Sequence, residues 1–200
     1  MIRSRLGKHW LSKTLFECGL IVLSISLALS LNGWKQTRDH EESVTRSINN
    51  FENEIKRNRL RIEDVKDYRN GVQEVLKNHN SAGKERSDTE FRQIMDALQP
   101  IVLTNSAWET AMATGVLARM DFELVSALTL TYNTQNRFNE EYRMTVRTLL
   151  EPSNLNDQNL ELTIHNASQF VTNVIAQEAE LIAYYDQMLK MLNLHISKET

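Results

Sequence analysis

Apolar residues are distributed along this chain in two ways. From Leu15 to Trp34 they are nearly continuous, LFECGLIVLSISLALSLNGW, and beyond Trp34 they return only every third or fourth residue. At ~1.5 Å per residue the first pattern predicts a helix ~30 Å long, enough to cross the hydrocarbon core of a bilayer. Trp10 and Trp34 flank the run ~36 Å apart on the same arithmetic, a spacing that suits aromatic anchors at two membrane interfaces. Ahead of it, Ile2, Leu6 and Trp10 share one side of a helical lead-in whose other side is basic, a pattern suited to lying along an interface.

The second pattern predicts helices that bury one stripe each. Val44, Ile48, Phe51, Ile55, Ile62, Val65, Val72 and Leu76 recur by threes and fours, so one long helix continues from the span to about Asn78. Asn58 and Arg69 interrupt this seam, where a polar residue can fix register at some cost in stability. The run Asn78 to Gly83 ends the helix. A short helix is expected from Asp88 to Leu98, opened by Ser87 or Asp88 and stopped by Pro100. Ser106 and Glu109 have the spacing of a capping box and open a helix that contains Trp108 and Met112 and ends near Gly115. Asp121 is the expected N-cap of the next helix, with Val125, Leu128, Tyr132, Tyr142, Val146 and Leu149 turned inward and Pro152 closing it. The last helix, from about Asp157 to Ile196, has the most regular seam: Leu160, Ile164, Ala167, Val171, Val174, Glu178, Leu181, Tyr185, Met188 and Leu192.

The expected fold is therefore all-α, a single N-terminal transmembrane helix continuing into the long helix of an antiparallel bundle. Composition agrees. Two prolines, six glycines and 7% aromatic residues are a helical profile, poor in turns. Three segments are expected: 1–14 basic and cytoplasmic, 15–34 spanning, and 35–200 an extracytoplasmic bundle.

Charge sets the orientation. Arg3, Arg5, Lys8 and Lys13 precede the span with no acid among them, whereas Lys35, Arg38 and Arg46 behind it are offset by Asp39, Glu41 and Glu42. The basic excess in front places the N-terminus in the cytoplasm. The whole chain is at −3, and residues 1–32 carry four basic side chains and Glu17, so residues 33–200 are left with −6. That balance argues against a nucleic-acid partner. Ser26-Leu27-Ala28 and Ala28-Leu29-Ser30 could each serve a signal peptidase, but the apolar run continues past both and Glu17 stands at its start. A retained anchor is the better reading. Cys18 is the only cysteine, and its apolar stretch follows it, unlike a lipoprotein site.

Within the span two faces differ. Glu17, Ser24 and Ala28 share one side; Gly19, Ser26, Ser30 and Gly33 share the other, where small residues let helices approach closely in lipid. Glu17 is the candidate intramembrane functional residue, since a charge in a span costs free energy and needs a reason. Its blander explanation is a position one turn from the interface, where water or Lys13 satisfies it.

Chemistry is otherwise sparse. The histidines form no HExxH pair, and Asp39-His40-Glu41-Glu42 are consecutive, so on a helix they point apart. No phosphate loop or nucleophile elbow is present. We expect no catalytic residue, no metal and no cofactor. Trp108, Tyr132 and Tyr142 are the candidate ligand pocket, with ordinary bundle packing as the alternative.

A carboxylate opening an apolar span that ends in Trp, followed by a charged helix, Ala107-Trp108-Glu109-Thr110-Ala111, Thr114-Gly115, Asp121 and Tyr132, resembles a group of uncharacterised bacterial single-pass membrane proteins. The resemblance implies a bacterial cell membrane and a retained anchor; it implies no activity. The expected function is a non-catalytic, membrane-anchored helical interaction or scaffold protein, its partners the lipid bilayer and a second copy or another membrane protein. The alternative is a ligand-sensing bundle acting through a membrane partner.

Overall fold

The computed structural model describes residues 6–80, 95, 96, 98, 100–154 and 160–199, with side chains for 16–75, 95, 96, 98, 100–154 and 161–197. Every regular element among them is helical: α1, Leu6–Asn80; α2, Ser106–Thr114; a 3-10 turn, Val116–Arg119; α3, Phe122–Leu149; and α4, Leu160–Glu199. The protein is all-α. The expected termination of α1 at Asn78 to Gly83 is met by helix up to Asn80, and residues 81–83 lie outside the described residues. Of the expected Asp88 to Leu98 helix only Met95, Asp96 and Leu98 are described; the first two are helical, and Leu98 closes a turn onto the Met95 carbonyl at 3.2 Å. The start of the last helix at Asp157 likewise falls outside them, as do Ile2, Arg3 and Arg5.

The chain forms two units, Met1–Thr45 and Arg46–Thr200. In the first, the stretch from Phe16 to Trp34 is helical and exposed on all sides, with Phe16, Leu23, Leu29 and Trp34 each about two-thirds accessible. It is long and apolar enough to cross a membrane, and none of that stretch is buried. A core helix of a soluble protein has the same composition but hides it.

In the second unit α1, α3 and α4 bury the stripes that their periodicity requires. Ile48, Phe51, Ile55, Ile62 and Val72 of α1 are buried. So is the α4 seam from Ile164 through Val171 and Leu181 to Leu192. Cross-links set directions. Arg59, Arg69 and Gln73 of α1 bond Asp186, Glu178 and Thr172 of α4, so numbers rise on one helix as they fall on the other. Glu54, Asn58 and Arg69 bond Tyr132, Gln135 and Tyr142, so α3 runs parallel to α1. The chain must therefore come back between α1 and α3. It does so through residues 100–105 and α2, which track down α1 past Arg61, Asn58 and Glu54.

Local signals explain where elements stop. Gly115 ends α2 at φ +68°, a left-handed conformation that a Cβ would strain, and its N–H bonds the Met112 carbonyl at 3.2 Å. Asp121 caps α3 as expected: its Oδ1 accepts from the N–H of Glu123 at 2.9 Å and of Leu124 at 3.0 Å. Two details differ from the sequence reading. Leu124 and Phe138 occupy the α3 core, and Val125 and Val146 are only half-buried. The capping box at Ser106 is absent, because Asn105 precedes the first turn without a side-chain cap and the cap comes from Glu54 of α1.

Candidate functional site

Seven polar or charged side chains are buried among the described residues, and five of them join α1, α3 and α4 in three layers. The layer nearest the Arg46 end is built on Glu54, which has no accessible surface. Its carboxylate accepts from the Tyr132 hydroxyl at 2.8 Å, the Ser106 hydroxyl at 2.6 Å and the Ala107 N–H at 3.1 Å. The first turn of α2 thus meets an anion, the charge that a helix N-terminus favours. Beside it Trp108 stacks on Tyr132 with centroids 5.4 Å apart and planes inclined by 19°, and Phe51 closes the aromatic cluster. Burial, and secondarily the Glu54 charge, holds the Tyr132 phenol in its protonated form far into the alkaline range.

One turn along α1, Asn58 holds the backbone of Thr104 from both sides. Its Oδ1 accepts from the Thr104 N–H at 3.0 Å and its Nδ2 donates to the Thr104 carbonyl at 2.7 Å. Gln135 Nε2 donates to the same carbonyl at 3.0 Å, and its Oε1 accepts from Asn58 at 3.0 Å and from the Tyr185 hydroxyl at 2.5 Å. Three turns further on, Arg69 pairs with Glu178 and donates to the Tyr142 hydroxyl at 3.2 Å, with its guanidinium carbon 5.5 Å from the Tyr142 ring centre. The phenols of Tyr142 and Tyr185 are also raised, mainly by burial. Among the described residues no buried side-chain nitrogen or oxygen lacks a partner.

The sequence-derived pocket residues are thus divided. Trp108 and Tyr132 share the Glu54 layer, and Tyr142 belongs to the Arg69 layer. Tyr142 also borders a groove of about 510 Å³ between α3 and residues 100–105. Glu17, Gly19, Ser26, Ser30 and Gly33 are all exposed on the first unit's helix, where the Ser30 hydroxyl donates to the Ser26 carbonyl at 2.9 Å. A Cβ at Gly19 or Gly33 would meet nothing within 4 Å, so that face is open.

Glu54 and Gln135 were missed by the sequence reading although spacing places both. Glu54 lies three residues after Phe51 and four before Asn58; Gln135 lies three after Tyr132. Each is on its seam, and a polar residue type hid it. Comparison with protein-family models, curated proteins and solved structures gives no match.

Proposed function

We propose that this protein is a non-catalytic, membrane-anchored interaction module. It is a single-pass protein of a bacterial cell membrane, akin to the uncharacterised group it resembles, with its basic N-terminus in the cytoplasm and its bundle outside. The observation that carries the reading is the apolar stretch from Phe16 to Trp34, exposed on every side while the second unit buries its own apolar seams. So large an exposed apolar surface calls for lipid or another chain. The polar core supports a structural role, because Glu54, Asn58, Arg69, Gln135 and Glu178 are each engaged in joining helices. A group held by two or three partners in a packed layer is ill-placed to take up substrate.

The partner is a second copy or another spanning helix, packed on the side bearing Gly19, Ser26, Ser30 and Gly33. Purification in mild detergent should yield an assembly larger than the monomer. Leucine at both Ser26 and Ser30 should reduce it by blocking close approach. A monomer with nothing bound, in detergent and in nanodiscs alike, refutes the module. Reporter fusions after Thr200 should report an extracytoplasmic location; cytoplasmic behaviour refutes the orientation.

A further inference from the structure

Residues 100–105 are held like a bound peptide. The N–H and C=O of Thr104 both face Asn58, which occurs when a residue is extended and its two backbone groups point the same way. Alternation then turns the neighbouring residues' backbone groups the other way. Accordingly the Val102 carbonyl accepts from Arg61 of α1 at 2.6 Å, and the Leu103 carbonyl accepts from Asn139 of α3 at 3.5 Å. Three further groups belong to the α3 side: the N–H of Leu103 and both the N–H and C=O of Ile101. None has a hydrogen-bond partner among the described residues, although Leu103 is buried. Backbone groups of a buried residue are rarely left in that condition.

They border the groove of about 510 Å³ between this segment and α3. Its opposite wall carries Asn136, Asn139, Glu140 and Arg143, on one face of α3 at spacings of three and four. Carboxamides of this bundle already hold extended backbone, at Thr104 and at Leu103. Asn136 is committed only weakly, to Asn105 at 3.4 Å.

We infer that this groove binds an extended peptide segment of a partner protein, which pairs as a β-strand on the Ile101–Leu103 edge in place of the Asn139 contact and is clamped on its other side by Asn136, whose Nδ2 donates to a carbonyl of an outward-facing peptide residue. A single extended residue of the partner supplies the N–H and C=O that Ile101 requires, and the next inward-facing residue, two further along, supplies the acceptor for Leu103. The volume is within the range of ligand sites and suits three or four residues. The inference rests on the interaction-module reading and gives it a second contact, outside the span.

The test uses the full-length protein in detergent and a displayed library of random linear octapeptides. Recovered peptides should bind with alternating dependence on their backbone: N-methylation of every second residue should reduce affinity tenfold or more, and of the intervening residues little. Ile101→Pro removes a donor used by no bond in the fold and should cost a similar factor without lowering the melting temperature. Asn136→Leu should weaken binding as well. Should Ile101→Pro unfold, the N-methyl scan on the wild-type protein reads the same pairing. Failure to recover any peptide, or binding insensitive to backbone methylation and to both substitutions, overturns the inference. Assembly through the spanning helix would survive that result, so the two readings fail separately.

Discussion

Arg69 and Glu178 are a cation and an anion at 2% and 3% exposure, so each depends on the other. Arg69→Met strands the carboxylate in the core and should cost about 3–5 kcal/mol in urea unfolding. Adding Glu178→Leu removes the stranded charge and should recover most of that loss; a double variant as unstable as the single one would mean that the pair is worth more than its geometry implies. Tyrosines give a pH signature. The phenols of Tyr132, Tyr142 and Tyr185 are all raised by burial, so above pH ~10 the unfolded chain releases protons that the folded chain keeps. Stability is therefore insensitive to these groups below that pH and falls as pH rises beyond it, by up to ~1.4 kcal/mol per unit for each phenol. Tyr185→Phe should lessen the alkaline slope, measured by denaturant unfolding between about pH 9 and pH 12.

At the scale of elements, helix ends are set by different means. Asp121 caps α3 from within its own chain segment, and Asp121→Ala should cost about 0.5–2 kcal/mol. Gly115→Ala meets no atom within 4 Å, so its cost is backbone strain at φ +68° alone, about 1 kcal/mol. Thermal melting of both variants checks this, and a larger loss at Gly115 would indicate a contact that the open surroundings do not contain. The start of α2 is instead capped from α1 by Glu54. Glu54→Gln exchanges an acceptor for a partial donor facing the donors of Ser106, Ala107 and Tyr132, and should cost about 1–3 kcal/mol. Its effect reaches three helices, whereas that of Asp121→Ala stays local.

For the whole second unit, the return of the chain through residues 100–105 and α2 allows α3 to run parallel to α1 and α4 to run antiparallel to both. The α4 seam then meets α1 and α3 together. Val171→Asp with Leu181→Asp places two unpaired charges where both residues are 1% exposed, each at a cost of several kcal/mol. The double variant should lose cooperative melting of the bundle, read by circular dichroism, while helix at the apolar stretch persists in detergent. Native melting would remove α4 from the core.

The apolar run at Leu15–Trp34, the α-helical class, the α4 seam, the Asp121 cap and the Gly115 stop were all legible in the sequence. Each depends on residues a few positions apart in one helix, where spacing alone decides which side chains share a face. The partners of the polar seam residues were not. Asn58 and Arg69 were placed on the α1 seam by periodicity, but that Asn58 grips a backbone 46 residues away and Arg69 a carboxylate 109 residues away depends on how three helices align. The cap of α2 shows the same limit. Ser106 and Glu109 have the right local spacing, yet Glu54 arrives from 53 residues earlier and takes the N–H of Ala107 with two carboxylate oxygens at 3.1 Å. A buried anion with three donors outcompetes a cap that would hold Glu109 back from solvent, and only the tertiary structure brings that anion to the helix end.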